Sequence, residues 1–191
     1  MKFLRTLLYM DAHVCPLWFA SFLANRIRRF VHDPLKILGP FIRPGDTCID
    51  IGCGPGFFTL PMAAMAGDTG KIIAVDIQER MLERLMRRAA AVGLDGRIVP
   101  RLATGTDLGL RGDADFALAF WMAHEVRDRD GFFRQVRDAL KPGGRLLLSE
   151  PKVHVARVRY EESAAAAIGA GFMPEREVEV SMSRSRLFVR P

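Results

Sequence analysis

Cysteine is scarce in this chain of 191 residues. Cys15, Cys48 and Cys53 form neither a Cys-x-x-Cys pair nor a cluster with histidine at metal-ligand spacing. A metal site is therefore not expected, and an odd count fits no closed disulfide framework. A reducing, cytoplasmic setting follows as an expectation. Long apolar runs are also missing. The first ten residues resemble a secretory start, but Arg5, Asp11 and His13 interrupt the pattern, and Val14 to Ala24 is about half of the roughly 20 residues needed to span a bilayer. Neither export nor a transmembrane helix is expected. Blocks of one charge are absent as well: a formal charge of +6 is dispersed along the chain, which favours a solvated basic surface over nucleic-acid binding. DNA is not expected as a partner, RNA is the weaker alternative, and a homodimer is left open. There is no internal repeat, and 49% hydrophobic content over this length suits one globular domain with a core.

What is present is a βα rhythm. From Gly45 onward, short apolar runs alternate with longer segments of helical periodicity. Strands are predicted at Thr47 to Ile51, Lys71 to Val75, Arg97 to Leu102, Asp115 to Trp121 and Arg145 to Ser149. Helices are predicted at Phe57 to Ala66, Gln78 to Val92, Asp128 to Leu140 and Glu161 to Ala170. Met81, Leu82, Leu85, Met86 and Ala89 repeat at helical spacing, and Lys141-Pro142-Gly143-Gly144 stops one helix and permits the turn into the next strand. At the end, Arg176 to Met182 and Leu187 to Arg190 are predicted to pair as a hairpin across Ser183 to Arg186, which breaks the alternation. Before the α/β part, Pro16 to Val31 is a helix candidate, and Asp33-Pro34 reads as an N-cap followed by proline at the first helical position. The chain thus divides into an N-terminal helical extension, residues 1–34, and an α/β domain, residues 35–191.

The informative turn follows the first strand, because open α/β sheets bind ligands at the carboxyl ends of their strands, where the winding reverses. Here Asp50-Ile51-Gly52-Cys53-Gly54-Pro55-Gly56 has the spacing Gly-x-Gly-x-Gly. A dinucleotide site would read Gly-x-Gly-x-x-Gly, and a phosphate-binding loop would continue into Gly-Lys-Ser or Gly-Lys-Thr; neither is present. Glycines at 52, 54 and 56 allow a nucleoside with an amino-acid tail to approach the main chain. Asp50 can pair with an ammonium, and Asp76, ending the second strand, can accept two ribose hydroxyls.

These segments together resemble the class I S-adenosylmethionine-dependent methyltransferases. Thr47 to Gly56 is similar to that family's first motif, Ile73-Ala74-Val75-Asp76-Ile77 to its ribose-binding motif, and Leu140 to Leu146 to the turn before its fifth strand. The resemblance implies a doubly wound, seven-stranded, mostly parallel sheet of the Rossmann-like methyltransferase type, with the last strand antiparallel. It also implies S-adenosyl-L-methionine as cofactor and S-adenosyl-L-homocysteine as product. Carried over by position, the cofactor set is Asp50, Gly52, Cys53, Gly54, Gly56, Phe57, Asp76, Ile77, Gln78, Met81, Ala103, Thr104 and Phe120. Family members often carry an acid where this chain has Ala103 and Thr104, so adenine recognition would pass to a main-chain group or to the Thr104 hydroxyl.

Methyl transfer is an in-line displacement that mainly requires alignment of a nucleophile and exclusion of water, with a general base only where the acceptor must lose a proton early. The acceptor is expected at Phe120 to Val126. His124 and Glu125 are the catalytic candidates there, and Trp121, His154 and Cys15 the substrate-binding ones, with His32 weighed beside them. No Asp/Asn-Pro-Pro-Tyr/Phe segment stands at the fourth strand and no nucleophilic cysteine lies near it, which argues against amino-methyltransferases and cytosine-5 enzymes acting on bases. A small-molecule acceptor fits the aromatic rim. The alternatives are a cofactor-binding domain without turnover, an RNA methyltransferase and a nicotinamide-dependent oxidoreductase.

Overall fold

In the computed structural model, residues 26–110 and 112–191 are described. Cys15 and the part of the Pro16 to Val31 helix before Arg26 lie outside the described residues.

Two short helices, α1 (Arg26–Val31) and α2 (Pro34–Leu38), precede the sheet. The Asp33 side chain accepts the Leu35 N–H at 3.0 Å, capping α2 with proline at its start. Then come β1 (Thr47–Ile51), α3 (Thr59–Ala66), β2 (Lys71–Asp76), α4 (Glu79–Ala90), β3 (Ile98–Leu102), β4 (Ala114–Phe120), α5 (Arg129–Ala139), β5 (Leu140–Pro151), α6 (Arg157–Gly169), β6 (Met173–Glu177) and β7 (Ser183–Val189). The seven strands form one sheet in the order β3-β2-β1-β4-β5-β7-β6. β1 to β5 pair in parallel, and β7 runs antiparallel to both β5 and β6.

Both faces of the sheet are covered, which is why the strands read as near-continuous apolar runs. Phe116, Leu118 and Phe120 of β4 face the core built with α3 and α4, whereas Ala117 and Ala119 face the core built with α5 and α6. This strict alternation fixes register, since a slip of one residue exchanges the two faces. The chain reverses its winding between β1 and β4, so the ends of those two strands border a crevice.

Two predicted turns sit differently. Lys141 to Gly144 lies inside β5, as an irregularity where Ala114 pairs with Leu140 and Phe116 with Arg145. The Gly143 N–H donates to the Arg190 carbonyl at 2.7 Å, tying the insertion to the C-terminal strand. In the tail, Ser183 to Arg186 is not a turn: Ser183, Arg184, Ser185 and Arg186 pair with Pro151, Glu150, Ser149 and Leu148. The connection is residues 178–182 instead. Small serines are buried there because Ser149 Oγ and Ser185 Oγ bond each other at 2.8 Å, so a polar run serves as a strand.

Candidate functional site

The ends of β1, β2 and β4 surround a cleft of about 730 Å³, within the usual range for small-molecule sites. Asp50 stands in β1, one residue before its end. It is 3% exposed, and Thr59 Oγ1 donates to its Oδ2 at 2.5 Å. Burial pushes its carboxyl up to about 6; the Thr59 bond opposes this, the neighbouring Asp76 adds to it, and Arg28 counters it. Asp76 closes β2. Its Oδ2 accepts the Gly54 N–H at 2.9 Å and its Oδ1 the Gln78 N–H at 2.9 Å. Burial raises its carboxyl too, against the backbone donors of Gln78, Gly54 and Ile77. Each carboxylate oxygen has capacity for a second donor, so the acid that orders the turn can also receive a ligand diol.

The three glycines of the turn play different parts. All have positive φ, but a Cβ at Gly54 would meet nothing within 4 Å, while one at Gly56 would stand 2.4 Å from Leu85 Cδ1 of α4. Gly54 therefore keeps the cleft floor low, and Gly56 lets the turn pack on α4. Gly56 does not line the cleft, because its missing side chain faces that helix. At Gly52 a Cβ would come 2.9 Å from the Met122 side chain, so this glycine serves the junction with β4.

Of the other residues assigned to the cofactor, Cys53, Phe57, Ile77, Gln78, Met81, Ala103, Thr104 and Phe120 all border the cleft. Thr104 Oγ1 is engaged with Asp107, accepting its N–H at 3.0 Å. The same loop places Asp107 on the lining of the cleft, with its Oδ1 accepting the Gly109 N–H at 2.8 Å, an acid three residues later than the position where sequence reasoning looked for one.

At the opposite end the wall is aromatic. Trp121 follows β4 with φ 60°, a left-handed conformation that costs a large side chain energy and persists only where neighbours hold it. Its N–H donates to the Ser149 carbonyl at 2.8 Å and its indole Nε1 to Ser183 Oγ at 2.9 Å. His32 lies edge-on to Phe120 and Trp121, with centroids 5.4 and 4.9 Å away, and its Nε2 is 2.9 Å from the Ser181 carbonyl. Burial lowers its pKa, with Arg28 adding to the effect against the Ser181 bond. His32 thus packs against Phe120 and Trp121 of the wall and ties α1 to the tail. The Arg28 guanidinium stacks 4.4 Å from the Phe57 centroid and 5.2 Å from that of Trp121.

His124 and His154 also meet here. His124 Nδ1 lies 2.5 Å from Glu150 Oε2, and the other oxygen, Oε1, accepts the His124 main-chain N–H at 3.0 Å. His124 Nε2 is 3.1 Å from His154 Nε2 and 4.0 Å from Glu125 Oε1. Burial opposes the charged imidazole, yet the Glu150 bond and charge, with Glu125, outweigh burial and Arg159 and raise its pKa. Burial pushes the Glu125 carboxyl up to about 7; His124 draws it down, and Glu150 and Asp76 add to the rise. Glu150, 1% exposed, escaped the sequence reading, as did Arg28 and Asp107. Only Glu150 left a signal: an acid that follows Leu146-Leu147-Leu148-Ser149 at the end of β5, one strand from His124. Among the described residues, no group of three or more His, Cys, Asp or Glu is arranged to hold a metal ion, and no helix is long and apolar enough to cross a membrane.

Comparison with known proteins agrees with this geometry. A family model described as a methyltransferase domain matches residues 48–144, just over half of the chain. A demethylmenaquinone methyltransferase of Symbiobacterium thermophilum is 37% identical over 109 residues, covering 56% of this chain and 43% of that protein. A ubiquinone/menaquinone biosynthesis C-methyltransferase of Escherichia coli is 31% identical over 110 residues, covering 57% of this chain and 44% of that one. The chain therefore spans less than half the length of these curated relatives. Among solved structures, a SAM-dependent methyltransferase of Aquifex aeolicus superposes with a TM-score of 0.84 at 22% identity, over 93% of this chain and all of that one. The strand order, the glycine turn with its acid partner, and the match across residues 48–144 agree: the chain belongs to the methyltransferase domain family.

Proposed function

We propose that this protein is an S-adenosylmethionine-dependent methyltransferase acting on a small, hydroxylated aromatic acceptor. The observation that carries the reading is the union of Asp50, Gly54 and Asp76 in one cleft that continues to Trp121 and His124. The donor set fits the cofactor. Asp76 keeps acceptor capacity on both oxygens for a ribose diol, Asp50 offers a buried carboxylate to an ammonium, and Gly54 leaves open the space that a Cβ would fill. Ile77, Met81 and Ala103 supply an apolar flank for a base, and Asp107, on the same lining, is the acid we assign to an exocyclic amine. When bound, the cofactor supplies an electrophilic methyl group on a sulfonium.

The remaining work belongs to the chain's own side chains. Phe57, Phe58, Phe120 and Trp121 exclude water and align a flat acceptor, which is where most of the acceleration of a displacement arises. His124 faces the same cleft with a nitrogen suited to taking a proton. Curated relatives carry names for methylation of quinone precursors, so a reduced naphthoquinone is the first acceptor to offer. Two free, buried thiols, Cys48 and Cys53, suit the reducing cytoplasm. The test is transfer of a labelled methyl group from S-adenosylmethionine to 1,4-dihydroxynaphthalene and to the small-molecule fraction of a cell extract, read by mass spectrometry. Label in a small product supports the reading; label confined to RNA or to nothing removes it.

A further inference from the structure

The Glu150 carboxylate spends both oxygens on one residue, binding the main chain of His124 through Oε1 and its ring through Oε2. A side chain that only filled the core would not need this double hold. We place the hydrogen in the 2.5 Å contact on His124 Nδ1, so that both Glu150 oxygens act as acceptors. That fixes the neutral ring as the Nδ1–H tautomer and turns a lone pair at Nε2 toward the rim of the cleft. On this lone pair, 3.1 Å away, stands His154 Nε2. Two imidazole nitrogens at that distance share one hydrogen, so one must donate and the other accept. His154 is exposed and belongs to the turn that follows β5, so its second nitrogen communicates with water.

Building on the methyltransferase reading, we infer that Glu150, His124 and His154 form a proton-exit relay, and that the acceptor is one whose methylated atom gives up a hydrogen. Glu150 is a positioning residue and touches no reactant. In the step itself, an oxygen lone pair or a ring π pair of the acceptor forms the bond to the methyl carbon, the pair of the C–S bond stays on sulfur, and the pair of the acceptor's O–H or C–H bond returns to that oxygen or ring as the hydrogen leaves as a proton. The proton goes to His124 Nε2, where the acceptor has taken the place of His154. The displaced, exposed His154 exchanges with water to its Nδ1–H tautomer, re-forms the pair with Nε2 as acceptor, takes the proton there and releases the Nδ1 hydrogen to water, which restores the starting pair. The groups facing His124 are Glu150 from β5, His154 from the turn after it, Glu125 from its own turn and Arg159 from α6. Three of the four favour or accept a proton there, which is the arrangement a base requires. An acceptor such as a preformed thiolate would have no use for it.

The test has two readouts. Imidazole nitrogen NMR of the wild type is expected to show His124 as the Nδ1–H tautomer when neutral, with its titration at least one pH unit lower in Glu150→Gln. His124→Asn assigns the signal and His154→Asn leaves the tautomer in place. For turnover of 1,4-dihydroxynaphthalene, Glu150→Gln is expected to lower kcat at least tenfold with KM within threefold, and to move the acid limb of the pH profile downward, because the base is active when neutral. Calorimetric affinity for S-adenosylhomocysteine should stay within twofold in all three variants. A neutral Nε2–H tautomer in the wild type, or a His124 titration that Glu150→Gln leaves unchanged, overturns the relay whether or not that phenol is a substrate. Loss of cofactor binding in the wild type would instead strike the methyltransferase reading.

Discussion

The main-chain N–H of Gly54 donates to Asp76 Oδ2 at 2.9 Å, joining the turn after β1 to the acid that ends β2. The two motifs are therefore one unit. Replacing the acid with alanine removes a charged acceptor from two half-buried main-chain donors, Gly54 and Gln78. An unmade buried donor costs about 1–3 kcal/mol, and half-burial puts these at the lower end. Asp76→Ala is expected to lose cofactor affinity by at least tenfold and stability on that scale, whereas Asp76→Asn, which keeps one acceptor oxygen, retains part of both. Thermal unfolding with and without cofactor separates the two effects.

Gly54 and Gly56 lie two residues apart and should respond oppositely. Gly54→Ala places a methyl group in open space at φ 51°, a left-handed residue costing about 1–2 kcal/mol, and its main effect should fall on cofactor binding. Gly56→Ala adds to that strain a contact of 2.4 Å with Leu85, so its main effect should be on folding. Comparison of midpoints in urea tests this, and Gly56→Ala with Leu85→Ala should recover part of the loss attributable to the contact.

Asp50 holds a carboxyl pushed up to about 6 by burial. A raised carboxyl binds its proton more tightly folded than unfolded, so stability falls as pH rises from about 4 to about 6 and stays lowered above that. At roughly 1.4 kcal/mol per pH unit, the cost is about 3 kcal/mol at neutral pH. Asp50→Asn keeps an acceptor for Thr59 without the charge. It should raise the unfolding temperature at pH 8 more than at pH 4, while weakening cofactor binding. An equal shift at both values would contradict the assignment.

Much of this arrangement was legible beforehand, for reasons that differ by element. β1 and β2 are buried on both faces and bounded by turn residues, so hydrophobic runs mark them. Their ends, Asp50 and Asp76, follow from the strand termini. The tail was harder. Ser183 and Ser185 look like turn residues, and only pairing with β5, more than thirty residues earlier, makes them a strand. A separation of 26 residues hid the role of Glu150. Its role depends on β4 and β5 being neighbours, so that Phe120 pairs with Ser149 and the next residues on each side bring a carboxylate to His124. Arg28 and Asp107 reach the cleft by loop and helix placement that no local periodicity encodes.

The proposed activity depends on an adenosyl sulfonium cofactor binding in the cleft between β1, β2 and β4. Isothermal titration of S-adenosylhomocysteine into the wild type and into Asp76→Ala tests it most directly. Saturable binding of one molecule per chain is expected for the wild type, weakened at least tenfold by the substitution. No heat of binding in the folded wild type, or equal affinity in the two proteins, would contradict it.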